Sequence, residues 1–314
     1  MYTYIIFLFS GYIIAYQCNF SSRFRIIYRT NSIRILYFKY TVMIYSCLNQ
    51  SVRKFSQNLS KMNLKRLEGK VAIVTASTQG IGFSIAKRLA EEGAKVVISS
   101  RKESNVMKAV ERLKSEGLQA SGTICHVGKK EDRAKLFENV EKEYGGLDIL
   151  VSNAATNPSV SMVLDTPEEV WDKIFDVNVK STYLLMQESL PLLRKSKSPS
   201  IIIVSSISAY TPFSLLGAYA VSKTTLLGIT KAAAADLASE GIRVNCIAPG
   251  IIKTKFSQAI VEGDAGEASL SMIPMQRFGE PNEIAGVAAF LASDDASYVT
   301  GETIVAAGGM HSRL

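Results

Sequence analysis

Three polar side chains of this chain have types and a spacing that suit proton transfer to a carbonyl group. Tyr219 and Lys223 are four residues apart, and Ser206 precedes Tyr219 by thirteen residues. A separation of four places Tyr219 and Lys223 on one face of a helix, one turn apart. A phenol ionises near pH ~10, and an adjacent ammonium lowers that pKa. With a serine hydroxyl to hold the substrate oxygen, the trio suits reduction of a carbonyl or oxidation of an alcohol.

A glycine-containing turn supplies the second chemical signal. Residues 70–75 form a short apolar run typical of a buried parallel strand, and the segment ASTQGIG follows at 76–82. A helical pattern then continues from residue 83 to 92. A strand, a glycine turn and a helix N-terminus together bind a pyrophosphate on backbone N–H groups, and Gly80 and Gly82 allow the backbone to come close. The sequence therefore predicts a dinucleotide site.

The elements that position these residues alternate between strands and helices. Strands are predicted at 70–75, 95–100, 119–124, 147–152, 200–205, 242–247 and 302–306, and helices at 80–92, 103–117, 130–144, 167–195 and 217–240. This alternation indicates a parallel α/β sheet covered by helices on both faces. Ligands bind such sheets at the carboxyl ends of the strands.

Seven motifs in order resemble the short-chain dehydrogenase/reductase family, from about residue 67 to the C-terminus. TASTQGIG at 75–82 is similar to the family's TGxxxGIG, with Ala76 in place of the first glycine, and SNAA at 152–155 is similar to NNAG. Asn178, SS at 205–206, YAVSK at 219–223, APG at 248–250 and Thr254 complete the set. The chain also resembles a subgroup of peroxisomal NADPH-dependent carbonyl reductases and retinol dehydrogenases, in which the alanine is compatible with activity.

The resemblance implies a single Rossmann-type doubly wound sheet of seven strands and a defined set of roles. Tyr219 exchanges the proton, Ser206 holds the substrate oxygen, Lys223 lowers the phenol pKa and binds the nicotinamide ribose, and Asn178 holds a water that links Lys223 to solvent. The residues expected at the cofactor are Thr75, Ser77, Gly80, Ile81, Gly82, Ser100, Arg101, Lys102, Val127, Asn153, Ala154, Pro249, Gly250, Ile252 and Thr254, together with Tyr219 and Lys223.

The residues after the second predicted strand select the nicotinamide cofactor. An enzyme that uses NAD normally has an acidic residue there, which accepts from the ribose hydroxyls. This chain has Ser100, Arg101 and Lys102 instead. A guanidinium binds a phosphate through two parallel hydrogen bonds, and a lysine adds a point charge. We therefore expect NADP(H), with Arg101 as the main selector.

Residues 253–281 interrupt the alternation of strands and helices and contain Gly263, Gly266 and Pro274. By resemblance this segment is a mobile substrate-binding lid, and a plain surface helical hairpin is the alternative. The residues between Ser206 and Tyr219 predict a mostly apolar pocket rim, formed by Ala209, Tyr210, Pro212, Phe213 and Leu216. An apolar ketone or aldehyde, or the corresponding alcohol, is therefore expected as the substrate. The resemblance adds retinal, aromatic ketones and dicarbonyls as examples.

Charge and composition argue against two other classes of function. The chain has 314 residues and a net charge of +8, but residues 1–61 carry eight basic side chains and no acidic one. The remaining 28 Lys and Arg balance all 28 acidic residues, so the body has no overall basic character for nucleic acid. Two histidines and four scattered cysteines offer little for a metal site or a disulfide framework, and no metal is expected.

The first 61 residues are predicted to be a leader outside the catalytic domain, which spans 62–314. Residues 2–20 are uncharged and apolar, as in a signal peptide or membrane anchor, whereas 23–61 are acid-free and basic, as in a mitochondrial transit peptide. A start at Met62, with the preceding residues a disordered or artefactual extension, is the third possibility.

The last three residues predict a targeting signal. Ser312, Arg313 and Leu314 form a variant of the Ser-Lys-Leu signal, which predicts a peroxisomal location and binding to the peroxisomal import receptor. A functional leader would favour a mitochondrion or a membrane instead. By resemblance the chain forms a homo-oligomer, usually a tetramer. Two other functions stay open: a 3-ketoacyl thioester reductase, with Lys253 and Lys255 as a docking patch, and a nucleotide-binding scaffold without catalysis.

Overall fold

The structure, a computed structural model, describes residues 3–9, 12–18, 65–214 and 216–312. The chain divides into two units, Met1–Asn63 and Leu64–Leu314. In the first unit, β1 (Thr3–Phe9) pairs antiparallel with β2 (Tyr12–Cys18). The other residues of the predicted leader lie outside the described residues, so its assignment as a leader stays a prediction.

Seven parallel strands form the sheet of the second unit. They are β3 (Val71–Val74), β4 (Lys95–Ser100), β5 (Ala120–Ile124), β6 (Ile149–Ser152), β7 (Ser200–Val204), β8 (Arg243–Pro249) and β9 (Thr303–Ala306). The order across the sheet is β5-β4-β3-β6-β7-β8-β9, so the direction of winding reverses between β3 and β6. The predicted seven-stranded, doubly wound parallel sheet is confirmed, and its ligand crevice is expected at this reversal.

The helices of the second unit are α1 (Gly80–Glu91), α2 (Glu103–Ser115), α3 (Lys130–Tyr144), α4 (Glu168–Phe175), α5 (Ser181–Leu193), α6 (Gly217–Leu237), α7 (Gln258–Val261), α8 (Gly263–Ser271) and α9 (Pro281–Ala292). The single helix predicted at 167–195 is wrong in one respect, because a π-helical turn at Asp176–Lys180 separates α4 from α5. Helix α6 ends in a 3-10 turn, Ala238–Glu240, and Gly241 follows in the left-handed region at φ 72°.

Two apolar layers cover the two faces of the sheet. Successive residues of a strand point to opposite faces, so Ala72 and Val74 pack with α1, α2 and α9. Val71 and Ile73 pack on the other face with α3, α5 and α6. Both faces are therefore buried, which is why the strands are continuous apolar runs in the sequence.

A third apolar cluster lies at the carboxyl edge of the sheet, outside both layers. Ile207, Ile273, Phe278 and Met310 are buried there together. These residues come from the segment after β7, from the predicted lid and from the C-terminal tail. The cluster therefore joins three segments that are far apart in the sequence.

A substitution of Leu150, at the centre of the sheet, tests how much the core contributes to stability. Leu150 is fully buried in β6, so Leu150→Ala removes packed atoms and leaves a cavity. We expect the free energy of unfolding to fall by about 2–5 kcal/mol in denaturant titration. Met107→Ala, at an exposed position of α2, is the control and should change it by less than about 0.5 kcal/mol. Equal effects of the two substitutions would contradict this picture of the core.

Candidate active site

Helix α6 holds Tyr219 and Lys223 together at the edge of the sheet. Both side chains are buried, with Tyr219 9% exposed and Lys223 2% exposed. Lys223 Nζ lies 5.6 Å from the centre of the Tyr219 ring. The same Nζ donates a hydrogen bond of 2.8 Å to the carbonyl of Val204, the last residue of β7. The four-residue spacing therefore brings a phenol and an amine to one point at the end of a central strand.

The segment after β7 brings the predicted serine to the same point. Ser205 donates to the carbonyl of Lys223 at 2.8 Å, which ties this segment to α6. Ser206 begins the 3-10 turn Ile207–Ala209, and its hydroxyl accepts from the backbone N–H of Ser208 at 3.1 Å. Of the three serines, Ser206 is the one whose hydroxyl acts on the Tyr219 phenol, whose pKa it lowers. The structure thus assembles the predicted trio.

Burial dominates the protonation of both groups. Burial raises the pKa of Tyr219 to about 12, and the hydrogen bond with Ser206 offsets part of that rise. Burial also lowers the pKa of Lys223 to about 8. The expected lowering of the phenol pKa by Lys223 is not what this arrangement produces, because the amine bonds to Val204 and the phenol is removed from water. At neutral pH Tyr219 is therefore protonated and able to donate.

Asn178 connects α6 to the loop after β6. It lies in the π-helical turn Asp176–Lys180, a deformation that often marks functional sites. Its Oδ1 accepts from the backbone N–H of Thr156 at 2.8 Å. Its Nδ2 donates to the carbonyl of Thr156 at 3.1 Å and to Ser222 Oγ at 3.0 Å. The side chain thus fixes the loop after β6 against α6, and the predicted water contact stays a prediction.

Thr75 joins the two strands that flank the reversal of the sheet. Its hydroxyl accepts from the backbone N–H groups of Asn153 at 2.9 Å and Ala154 at 3.1 Å. Asn153 Nδ2 in turn donates to the carbonyls of Thr75 at 3.0 Å and Ala76 at 3.3 Å. The glycine turn and the segment after β6 are therefore one hydrogen-bonded unit, as a shared cofactor site requires.

The glycine turn has the tight backbone that its sequence predicts. Gly80 has φ +58°, and Ala76, where the family has a glycine, has φ 49°. An alanine in this left-handed region costs about 1–2 kcal/mol, which explains why glycine is the usual choice. A Cβ on Gly82 would lie 2.5 Å from the carbonyl oxygen of Ala76 and 2.5 Å from Asn153 Nδ2. The position therefore accepts only glycine without rearrangement.

The start of α1 fits a pyrophosphate. Helix α1 begins at Gly80, and its N-cap residue Gln79 makes no side-chain hydrogen bond to the first turn. The first N–H groups of a helix have no partner within the helix, and they favour an anion. Ile81, half-buried beside them, packs against the core. These residues fit a dinucleotide cofactor.

Ser77 was expected at the cofactor, but its side chain has a structural task. It is fully buried, donates to the carbonyl of Val74 at 2.6 Å and accepts from the N–H of Ser99 at 3.0 Å. The hydroxyl therefore ties β3 to β4. The backbone N–H of Ser77 also donates to the carbonyl of Ser99 at 3.0 Å, so neither its hydroxyl nor its N–H is left for a contact with the cofactor.

A group of basic side chains lies near the ends of β4 and β5. Ser100 ends β4 and is half-buried, while Arg101 and Lys102 are exposed. Burial lowers the pKa of His126, and the positive charges of Lys173, Arg101 and Lys129 lower it further. Several cations therefore lie near this end of the sheet, beside the carboxylate of Asp132, which accepts from the backbone N–H of His126 at 2.8 Å.

The segments after β5 and β8 carry the remaining cofactor candidates. Val127 is buried, and its carbonyl accepts from Arg133 Nη1 at 2.8 Å. Pro249 ends β8, and the N–H of Gly250 donates to the carbonyl of Ala306 at 2.9 Å. Ile252 is buried at the same edge of the sheet.

Thr254 lies against the glycine turn, because a Cβ on Gly80 would be 3.4 Å from its Cγ2. The structure therefore collects the predicted residues along one edge. Whether each of them contacts a cofactor stays a prediction.

The predicted lid begins with a capped turn and contains α7 and α8. Thr254 and Ser257 cap each other around the 3-10 turn Lys255–Ser257. Phe256 in this turn is 60% exposed, and its ring centre is 6.0 Å from that of Tyr219. Sequence reasoning missed this contact. The available signal was an aromatic residue two positions after Thr254, at the start of the lid.

Two cavities lie beside this arrangement. Pro212 and Phe213 line one of about 420 Å³ with Met162, Val163 and Val221, and Tyr219 does not line it. Their predicted place at the substrate rim therefore stays a prediction. The other cavity, of about 380 Å³, lies between residues 250–252, the end of the lid and residues 305–310.

Cys125 and Cys246 are buried free thiols, and burial raises the pKa of each to about 11. Within the part of the chain that the structure describes, no three His, Cys, Asp or Glu side chains are grouped as metal ligands. Across the same residues, no helix has the length and apolar content needed to cross a bilayer.

Comparison with known proteins identifies the family. A family model described as Enoyl-(Acyl carrier protein) reductase matches residues 75–311. Dehydrogenase/reductase SDR family member 4 of Bos taurus is 54% identical over 266 residues, which cover 84% of this chain and 95% of that protein. Tropinone reductase-like 3 of Erythroxylum coca is 51% identical over 255 residues, covering 81% of this chain and 98% of that protein.

A solved structure agrees with these relatives. The crystal structure of gox2181 superimposes with a TM-score of 0.75 and 32% identity, covering 79% of this chain and 98% of that chain. The matched residues 75–311 include the glycine turn, Ser206, Tyr219 and Lys223. This chain therefore belongs to the short-chain dehydrogenase/reductase family of oxidoreductases, which bind a nicotinamide nucleotide.

Proposed function

We propose that this protein is an NADP(H)-dependent carbonyl reductase that converts apolar ketones and aldehydes to alcohols, reversibly with NADP+. The observation that carries this proposal is the buried Tyr219 and Lys223 pair, with Ser206 beside it, at the end of β7. The glycine turn lies at the same edge of the sheet. A proton donor and a dinucleotide site at one edge are the two parts that carbonyl reduction needs.

The proposed chemistry assigns one task to each side chain. When bound, the cofactor supplies a hydride to the carbonyl carbon. Tyr219 donates its phenolic proton to the carbonyl oxygen, which its pKa of about 12 allows at neutral pH. Ser206 hydrogen-bonds that oxygen and sets its distance from the phenol. Lys223 binds the nicotinamide ribose through N–H groups that Val204 leaves free.

The choice of NADP(H) over NAD(H) rests on charge. Neither Ser100, which ends β4, nor the next two residues is acidic, although an enzyme that uses NAD normally places an acid there, and the exposed side chains of Arg101 and Lys102 stand there instead. Lys129 and Lys173 place two further positive charges near His126. A 2′-phosphate gains from these charges, and a free 2′-hydroxyl does not.

The proposed substrates are apolar carbonyl compounds, with aromatic ketones, dicarbonyls and retinal as examples. Phe256 beside Tyr219 supports an apolar partner, because an exposed aromatic ring gains by covering apolar surface. NADPH consumption with a panel of retinal, an aromatic dicarbonyl and an aliphatic sugar tests this. Turnover with the sugar alone would contradict the proposal.

A second candidate is a reductase of carrier-linked acyl thioesters, which the description of the matching family model favours. Such an enzyme needs a basic patch to dock the acidic carrier. Of the two lid lysines, Lys253 pairs with Glu280 at 2.9 Å, and Lys255 is exposed. Only Lys255 of these two lysines is therefore left to contact an acidic carrier, which is weak support for a docking patch. Activity on an acetoacetyl thioester above that on aromatic ketones would favour this candidate. A scaffold without catalysis would show neither activity.

We further propose a peroxisomal location and a homo-oligomeric assembly, with the tetramer taken from the family resemblance. The C-terminal segment contacts the rest of the catalytic domain at His311, because Thr211 Oγ1 donates to the carbonyl of His311 at 2.8 Å. Arg313 and Leu314 of the predicted signal lie outside the described residues. Ser312 follows directly after this contact, so the signal would begin at the surface of the domain.

Tyr219→Phe tests the proton donor. Without the hydroxyl, the carbonyl oxygen has no acid beside it, so kcat should fall by about 10²–10⁴-fold. The dissociation constant for NADPH should stay within about twofold, because the ring still fills its place. Tyr183→Phe, on the exposed side of α5, is the matched control and should keep full activity. Substantial turnover by Tyr219→Phe would remove Tyr219 from the mechanism.

Arg101→Glu tests the cofactor selector. Loss of a charge-assisted contact with the 2′-phosphate should weaken NADPH binding about 10- to 100-fold and leave NADH binding nearly unchanged. Lys108→Glu changes the net charge equally at an exposed position of α2 and should have little effect. If both variants lost a similar amount of NADPH affinity, Arg101 would not bind the 2′-phosphate. The same conclusion would follow if Arg101→Glu weakened NADPH and NADH binding equally.

Deletion of residues 312–314 tests the predicted peroxisomal signal. An N-terminal fluorescent fusion of residues 62–314 should enter peroxisomes, and the shortened chain should stay outside them. A full-length chain with a C-terminal fluorescent protein reports on residues 1–61, because its C-terminal signal is covered. Mitochondrial or membrane fluorescence of that fusion would show that the leader is functional.

A further inference from the structure

Phe256 is an exposed aromatic side chain next to the buried Tyr219. Its ring centre is 6.0 Å from that of Tyr219 with a tilt of 42°, yet 60% of the residue is exposed. Tyr219 itself is only 9% exposed, so it is covered while Phe256 is not. An aromatic residue that served only to pack the lid would be expected inside an apolar cluster. Phe256 is not part of the cluster that Ile273 and Phe278 form.

The backbone that carries Phe256 is held on both sides. Thr254 and Ser257 cap each other across the turn, and Ser257 Oγ also donates to the carbonyl of Ile252. Thr254 lies against Gly80 of the glycine turn. The ring is therefore presented from a fixed turn between the cofactor site and the proton donor.

We propose that Phe256 determines specificity by positioning the apolar group of the substrate. The inference rests on the proposed carbonyl reductase function. A flat aromatic or conjugated group lies against the exposed ring of Phe256, and its carbonyl oxygen then faces Tyr219 and Ser206. Phe256 thus favours aryl and conjugated carbonyl compounds over saturated ones of the same size.

The preference follows from the way in which aromatic rings interact. Two rings with centres 4.5–7 Å apart gain about 0.5–1.5 kcal/mol beyond the area they bury, in offset or edge-to-face arrangements. That gain corresponds to a factor of about 2–12 in affinity. A saturated ring covers a similar area without this gain. The contact also restricts rotation of the substrate, which favours a reactive orientation.

The experiment compares two ketones that differ only in the ring, acetophenone and cyclohexyl methyl ketone. Phe256→Leu keeps an apolar side chain and removes the ring, so the ratio of kcat/KM for the aryl ketone to that for the saturated ketone should fall about five- to tenfold. Most of the change should appear in KM for the aryl ketone. Phe256→Trp keeps an aromatic face and should retain the ratio to within about twofold.

Tyr298→Leu is the matched control, because this tyrosine is exposed and lies near the amino ends of β8 and β9. It should leave the ratio unchanged. Thermal unfolding of each variant shows that it is folded, and Phe256→Met replaces the leucine variant if the latter is not.

The outcomes separate this inference from the proposed function. An unchanged ratio in a folded Phe256→Leu enzyme that still reduces both ketones overturns the role of Phe256 and leaves the reductase function intact. A wild-type enzyme that reduces neither ketone with NADPH contradicts both. An equal loss of kcat/KM with both ketones would mean that Phe256 contacts any apolar substrate without preference, and it also overturns the inference.

Discussion

The buried amine of Lys223 is the constraint on which the site depends. Burial lowers its pKa to about 8, and Nζ donates to Val204 at 2.8 Å. An ammonium carries three N–H groups, and the contacts among the described residues engage one of them. A buried donor without a partner is costly, so the amine favours a ligand that brings hydroxyl oxygens. The same contact fixes α6 to the end of β7, and it thereby fixes Tyr219.

The protonation of Tyr219 shows why side-chain types alone are an incomplete guide. A lysine one helical turn away predicts a lowered phenol pKa, but the structure has a raised one, about 12. The amine bonds to Val204, whereas the phenol loses water on nearly all sides and gains only the hydroxyl of Ser206. Removal from water therefore outweighs the charge. A protonated phenol is the form that the proposed reduction needs, and burial rather than the lysine charge accounts for it.

The sequence predicted the strands well, because parallel strands buried on both faces are continuous apolar runs. The run at 70–75 contains β3 (Val71–Val74), and the run at 302–306 contains β9 (Thr303–Ala306). The π-helical turn at Asp176–Lys180 could not be predicted from its residues, since neither glycine nor proline marks it. Its geometry goes with tertiary hydrogen bonds of Asn178. Contacts between distant segments, such as that of Phe256 with Tyr219, were invisible for the same reason.

The third apolar cluster connects the predicted lid to the segment of Ser206 through packing. Ile207 directly follows Ser206 and is buried with Ile273 and Phe278 of the lid and with Met310 of the C-terminal tail. A packed cluster has few alternative arrangements, so a displacement of the lid must be accommodated by its partners. Ile207 is the chain neighbour of Ser206, so its packing also holds the backbone that carries the Ser206 hydroxyl. The packing of Ile273 and Phe278 in this cluster therefore also constrains the place of Ser206 in the proposed site.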